Sequence, residues 1–539
     1  AASHVKADVA AGRGTIHTQP GEGGRVSGID TARGAERPWP GPLSTEVAVL
    51  CQWLGSQVGE RTAAGLREVL RRLASPLQVA VAGRISSGKS TLVNALIGRR
   101  VAPTEVGECT RLVTRFCYGT VDRVEVVLRN GARQALSFDA GGAIPADLGM
   151  DPGTVSHLEA YLTSAVLRGL TVIDTPGVGS LDAASVARAE SVLGAAGGEL
   201  DDVSAAAIAG AEAVLYVVTQ TVRADDAQVL ATFTAATASR DAGPANAIAV
   251  LNKADTIAPE SVEGAEGDVW KAASAVAARQ AATLKPRVAD VLPVIGLLAE
   301  TAETGGFTAT DADALRALAG TDKTVRDAML LSADLFTTLD TPVPEGTRRR
   351  LLEHLDLYGV GCALTAIDAE PGITTGALRR TLLDASGLAG VRGRLDVVFR
   401  ARADGIKAAA ALASVTALAQ AGGDPGERQR MHDAIEVLLQ RPEVHQLRLL
   451  EALTLVTSGA VAMPEDLVDE VMRVGGSYAA AEQLGMIGHG RAELAGYALE
   501  RAGWWRSFSA FGATPAQSRV AHVVHRAYFL IWQSLREGQ

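Results

Sequence analysis

The apolar run Val79-Ala80-Val81-Ala82 leads straight into Gly83-Arg84-Ile85-Ser86-Ser87-Gly88-Lys89-Ser90-Thr91. A strand that ends in G-x-x-x-x-G-K-S and continues as a helix leaves few folds open to a chain. Gly83 and Gly88 let the backbone turn tightly, so that N–H groups from Ser86 through Thr91 converge on a phosphate chain at a helix N-terminus. Lys89 then offers a point charge to the β- and γ-phosphates, and Ser90 a hydroxyl to Mg²⁺.

Two downstream segments decide which nucleotide fits. Leu170-Thr171-Val172-Ile173-Asp174-Thr175-Pro176-Gly177 reads as a strand ending in D-x-x-G, with Asp174 toward the metal and the Gly177 N–H toward the γ-phosphate. Ala247-Ile248-Ala249-Val250-Leu251-Asn252-Lys253-Ala254-Asp255 reads as a second strand ending in N-K-x-D. The Asp255 carboxylate can accept from guanine N1–H and the exocyclic amine, whereas adenine would leave it unpaired. A lone Asp after a strand is as readily an ordinary turn. Three motifs in this order, each at a strand end, point instead to GTP and GDP.

The acidic balance, a formal charge of -10 and a pI near 5.5, argues against nucleic acid as a partner and against an RNA-handling GTPase. Cys51, Cys109, Cys117 and Cys362 form no C-x-x-C pair, so they read as core residues of a reducing cytoplasm. The richest apolar stretch, 205–218, is interrupted by Glu212, which disfavours a membrane span. Residues 1–43 are rich in Gly, Pro and Ala and are expected to form a disordered tail.

Apolar spacing predicts a helix from Ser44, as its cap, to about Ala74, within a segment 44–76 that joins a helical neck. Its simplest partner is a late helix, such as the one holding Val520, Val524, Tyr528 and Ile531. Over 77–305 strands alternate with helices, as in an α/β phosphate-loop GTPase domain with a doubly wound, mostly parallel sheet. Strands fit 112–118, 165–173, 213–218, 246–251 and 291–295, with a hairpin around Asn130-Gly131. Over 306–539 helical patterns dominate, giving a long α-helical bundle or stalk. Within it the apolar stretch 355–364 follows Arg348, Arg349 and Arg350 and fits either a membrane-contacting tip or a buried bundle helix.

The string Ser87-Gly88-Lys89-Ser90-Thr91-Leu92-Val93-Asn94-Ala95-Leu96-Ile97-Gly98 is followed by Pro103-Thr104 and by Gly107-Glu108-Cys109-Thr110-Arg111-Leu112-Val113-Thr114-Arg115-Phe116. With Pro293-Val294-Ile295-Gly296-Leu297-Leu298-Ala299, this resembles the bacterial dynamin-like proteins. The resemblance implies a GTPase that works with Mg²⁺ held by Ser90, Thr110 and Asp174. Lys89, Thr110 and Ser86 would be its catalytic residues, with Ser86 beside a charge-compensating K⁺ or Na⁺. It also implies a dimer through the nucleotide face, a paralogous dynamin-like partner and peripheral contact with the inner face of the plasma membrane. Gly296 is the best match to a guanine-side fifth motif, and a structural turn fits it equally. Ile85 departs from the family: eukaryotic dynamins carry a water-positioning glutamine there, and isoleucine cannot hydrogen-bond. Arg84 fits an internal arginine finger or a solvent-facing loop residue. A scaffold that binds GTP but turns it over poorly is the competing reading.

Overall fold

A computed structural model of the chain describes residues 39–103, 112–145, 147–175, 211–221, 226, 230, 246–284, 288, 290–400, 402–422, 424–441, 444–457, 461–477 and 479–537. Thr110, Gly177 and the 1–38 part of the expected tail lie outside them. Two helices, α1 (Pro42–Gly55) and α2 (Glu60–Ala74), precede strand β1 (Leu77–Gly83). After the phosphate loop come α3 (Lys89–Ile97), β2 (Thr114–Tyr118), β3 (Arg123–Leu128), β4 (Arg133–Leu136), β5 (Val155–Leu162), β6 (Leu170–Asp174), β7 (Ala213–Val218) and β8 (Ala247–Leu251). Helix α4 (Val269–Leu284), strand β9 (Val291–Pro293) and α5 (Gly296–Glu303) follow.

The nine strands form one sheet in the order β4-β3-β5-β2-β6-β1-β7-β8-β9. Five of its pairings are parallel and three antiparallel, the mostly parallel sheet that the sequence pattern called for. Strands β1, β7 and β8 are apolar almost throughout because helices cover both faces. Strand β1 lies between β6 and β7, so connections leave it on both sides, the arrangement in which open α/β sheets bind ligands at the carboxyl ends of their strands. The Asn130-Gly131 hairpin forms, with Gly131 at φ +83 and the Asn130 side chain accepting from the Ala132 N–H. Strand β5 was not anticipated. Its Leu, Glu and Ala are ordinary helix formers, and pairing to both β2 and β3 overrides that preference. Residues 165–168 make a 3₁₀ turn rather than the start of β6.

Residues on both sides of the expected 305/306 boundary share one core. Helices α6 (Ala309–Ala319), α7 (Lys323–Met329), α8 (Ala333–Thr338), α9 (Glu345–Ala369) and α10 (Thr375–Ala385) put Leu315, Phe336, Leu351 and Leu382 into one core with β7, β8 and α4. Helix α11 (Leu388–Leu395) enters the core on the other side of the sheet. These helices therefore belong to the sheet-bearing body. The tip reading of 355–364 fails for the same reason: Leu355, Val360, Ala363 and Leu364 are buried, and Tyr358 OH accepts from Trp270 Nε1 at 2.9 Å. Helix α9 is kinked at Asp356 (φ +53), and the nearby His354 carbonyl accepts from Thr301 Oγ1 of α5 at 2.6 Å.

Beyond residue 402 the chain is helical: α12 (Ala403–Ala421), α13 (Pro425–Gln440), α14 (His445–Thr457), α15 (Glu465–Gly476), α16 (Ala480–Leu484), α17 (Arg491–Phe511) and α18 (Pro515–Glu537). The expected 44–74 helix is two, parted at Gly55 and Gly59, residues of low helix propensity. It starts at Pro42 with Leu43 buried, so the expected tail does not extend to 43. Ser44 is not its cap. Asp404 of α12 accepts from the Leu43 and Ser44 N–H groups at 3.0 and 2.9 Å. Helices α1 and α2 bury Val47, Leu54, Leu66 and Leu73 against α12 and α13, not against α18, which packs with α14, α15 and α17. At the junction with the sheet, the buried Lys407 Nζ donates to both oxygens of the buried Glu212 at 3.1 Å and to the Arg72 carbonyl at 2.8 Å.

Candidate functional site

The ends of β1, β6, β8 and β9 meet at one edge of the sheet, with Val81 opposite Asp174 and Leu251 opposite Pro293. The phosphate loop therefore leaves β1 beside both downstream motifs. Gly83 (φ +152) has no room for a side chain, since a Cβ would sit 2.4 Å from the Val217 carbonyl oxygen. Gly88 (φ +86) is constrained in the same way by Asn252 Nδ2 at 2.3 Å. Ser86 also lies in the left-handed region, φ +63, where a non-glycine residue is uncommon. Thr91 sits in the first turn of α3.

Lys89 is buried at the start of α3 and donates to the Arg84 carbonyl at 2.9 Å, so it spans the loop. Burial lowers its ammonium pKa, with Asp174 opposing. Ser90 Oγ donates to Asp174 Oδ2 at 2.9 Å, while Asp174 Oδ1 is buried without a hydrogen-bond partner among the described residues. Burial pushes the Asp174 carboxyl up to about 6 against the charge of Lys89 and the Ser90 hydroxyl. A buried carboxylate oxygen with no donor, beside a serine hydroxyl, is the oxygen donor set a small divalent cation takes. Ser90 and Asp174 thus fit Mg²⁺.

Asn252 connects the two halves of the site. Its Nδ2 donates to the Ser87 carbonyl at 2.9 Å, and its Oδ1 accepts from the Lys253 and Gly296 N–H groups at 2.8 and 2.9 Å. Lys253 adopts φ +58, which turns the chain so that Asp255 follows at the sheet edge. Burial raises the Asp255 carboxyl, Asp356 raises it further, and Lys253 opposes. Gly296 stands beside Asn252, and a Cβ there would meet Asn252 Oδ1 at 2.8 Å.

Gly83, Ser86, Ser87, Gly88, Lys89, Ser90, Thr91 and Asp174 are brought together around the end of β1, with Asn252, Lys253, Asp255 and Gly296 adjoining. Arg84 is half-buried, and its Nη1 has no hydrogen-bond partner among the described residues; Ile85 is 69% exposed.

Sequence reasoning missed Asn94. Its Nδ2 donates to the Ala102 carbonyl and Glu300 Oε1 at 3.0 and 2.7 Å, and its Oδ1 accepts from the Val101 and Ala102 N–H groups. It fixes the segment that leads toward Thr110. A single amide between Val93 and Ala95, in a helix otherwise buried through Leu92, Leu96 and Ile97, was the available signal.

Comparison with known proteins gives the family. The Dynamin family model matches residues 79–254. The isoniazid-induced protein IniC of Mycobacterium tuberculosis (strain CDC 1551 / Oshkosh) is 33% identical over 442 residues, 81% of this chain and 85% of its own. The bacterial dynamin-like protein of Nostoc punctiforme is 28% identical over 119 residues, 19% of this chain and 17% of its own. A solved structure described as an oligomerised bacterial dynamin pair for the long-range sensing and tethering of membranes is 13% identical, covering 92% of this chain and 76% of that one. Its TM-score is 0.29, too low to carry over an arrangement of domains.

Proposed function

The chain belongs to the dynamin family of GTPases, and from that premise we propose that it binds GTP and GDP with Mg²⁺, hydrolyses GTP, and couples nucleotide state to association at a bacterial membrane. The observation that carries the reading is the Asn252 side chain, which joins the Ser87 carbonyl of the phosphate loop to the Lys253 and Gly296 backbone at the base end. One joint holds the phosphate cradle and the guanine reader in register. Asp255 would accept the guanine donors, and the loop N–H groups with Lys89 would hold the phosphates. Ser90 and Asp174 would hold Mg²⁺, with Thr110 completing the set, and the ion would supply charge neutralisation for the phosphates. Gly177 would donate its N–H to the γ-phosphate, and Ser86 would stand beside a monovalent cation.

Ile85 is exposed and cannot orient water, so turnover in this reading needs a partner across the nucleotide face, either a second copy or a paralogous dynamin-like protein. The same residue favours the second reading, a GTP-binding scaffold with poor turnover. Membrane contact would be peripheral, from the cytoplasmic side; among the described residues no helix is long and apolar enough to cross a membrane. The α17–α18 hairpin supports such contact. Trp504, Phe508 and Phe511 recur at helical spacing, Phe511 is 94% exposed, and residues 502–536 contain Arg506, Arg519, Arg526 and Arg536 and no Asp or Glu.

GTP turnover per active site across a wide concentration series, alone and with a paralogous partner, tests the reading. The expected result is activity that climbs with concentration or on adding the partner. A flat series, with the protein monomeric in a GDP·fluoride complex, would remove the association mechanism.

A further inference from the structure

We propose that Glu300 and Arg392 are positioning residues that set the distance between the base-binding and phosphate-binding ends of the nucleotide site. The proposal rests on the reading of that site given above and adds how its two ends are held at one spacing. Helix α3 starts at Lys89 and carries the phosphate end, while α5 starts at Gly296 and carries the base end. The two helices run side by side in the same direction, as their bonded partners show. Ser87 is joined to Gly296 through Asn252, Asn94 to Glu300 directly, and Ala95 to Glu303 through Arg392.

A single joint at Asn252 fixes one point and leaves α5 free to swing about it. The second contact stands one helical turn further along α5, about 6 Å from Gly296. There Asn94 Nδ2 donates to Glu300 Oε1 at 2.7 Å, and both side chains are buried. The other hydrogen-bonding positions of Asn94 are taken nearby: Nδ2 also donates to the Ala102 carbonyl, and Oδ1 accepts from the Val101 and Ala102 N–H groups. Glu300 is thus the acceptor that connects this amide to α5. A third contact closes the far end. Arg392 of α11 donates Nη1 to Glu303 Oε1 at 2.6 Å and Nη2 to the Ala95 carbonyl at 3.0 Å, so one guanidinium spans both helices. Two anchors beyond the joint turn a pivot into a frame.

Neither Glu300 nor Arg392 is among the residues that gather around the nucleotide. A nucleoside diphosphate engages both ends at once, and it outbinds its fragments only while the ends keep the spacing of the intact molecule. Loosening the frame therefore spares each end and penalises the ligand that needs both. The Asn94–Glu300 contact is shielded from water and the Arg392 side chain is 34% exposed, so Glu300 carries the larger share.

Calorimetry of GDP, guanosine and pyrophosphate with Mg²⁺ on the full chain tests this. Glu300→Ala should weaken GDP by about tenfold and Arg392→Ala by about threefold, while guanosine and pyrophosphate stay within about twofold of the parent. Glu300→Gln, whose side-chain carbonyl still accepts from Asn94, should restore GDP affinity. Arg392 lies partly in solvent, so its variant decides the matter even where the buried substitution unfolds the chain. Parent GDP affinity in both alanine variants overturns the proposal. So does a guanosine or pyrophosphate affinity that falls in step with GDP, which would make these residues supports of one end alone. The guanine reading is judged separately, by the parent's preference for GTP over ATP. Where adenine binds as well, ADP and adenosine replace GDP and guanosine, and the same comparison decides.

Discussion

Two buried polar side chains, Asn252 at the nucleotide edge and Glu470 in the distal helices, organise their surroundings by opposite means. Asn252 pairs with backbone groups of Ser87, Lys253 and Gly296. Glu470 pairs with side chains: Tyr528 OH donates at 2.6 Å, Trp505 Nε1 at 3.0 Å and Arg501 Nε at 2.9 Å. These hydrogen bonds keep the Glu470 carboxyl below its usual value despite the opposing effect of burial. A backbone-directed amide fixes a shape that any chemistry using that loop must share, so it recurs as a motif that can be read. A carboxylate serving three side chains from two other helices solves a packing problem peculiar to one bundle, and nothing local announces it.

The largest effect belongs to the nucleotide edge. Lys89→Ala should lower GTP turnover by about a hundredfold or more, because a charge placed where the transition state gathers negative charge is lost. GTP affinity should fall with it, while the denaturation midpoint of the distal helices stays in place. Ordinary steady-state activity in this variant would dissolve the phosphate-loop assignment.

Glu470→Leu strikes the other hub. It leaves the partly buried Arg501 guanidinium and the buried Tyr528 and Trp505 donors without their acceptor, a loss of about 3 kcal/mol. Chemical denaturation should show the distal helices melting early while GDP still binds with parent affinity. Loss of nucleotide binding in parallel would mean that the two regions are one cooperative unit, and the contrast drawn here would fall.

A smaller effect, about 2 kcal/mol, is expected for Asn252→Ala, which orphans the buried Ser87 carbonyl and Gly296 N–H. Because the joint serves both ends of the nucleotide, GTP and guanosine affinities should drop together in calorimetry. A fall confined to the triphosphate would show that Asn252 supports the loop alone.

The same contrast explains what could be read in advance. Strands β1, β6, β7 and β8 were legible because parallel interior strands must be apolar throughout, and the motifs at their ends carry backbone constraints visible as Gly83, Gly88 and Asn252. Strand β5 was not, since Leu158, Glu159 and Ala160 suit a helix until β2 and β3 flank them. The helices α6 to α11 have the same amphipathic periodicity as bundle helices. Only their partners, the two faces of the sheet, mark them as part of the body. Likewise the first N–H groups of α1 are satisfied by Asp404, some 360 residues away, where local reading could offer only Ser44.

The central claim, that the sheet edge reads a guanine nucleotide through Asp255, is tested most directly by calorimetry of GTP, ATP and xanthosine triphosphate on the parent chain and on Asp255→Asn. The parent should favour GTP over ATP by at least about a hundredfold, because adenine leaves a half-buried carboxylate without donors. Asp255→Asn should weaken GTP and gain xanthosine triphosphate, whose base offers an acceptor where guanine offers the amine. Equal affinity of the parent for ATP and GTP would contradict the account.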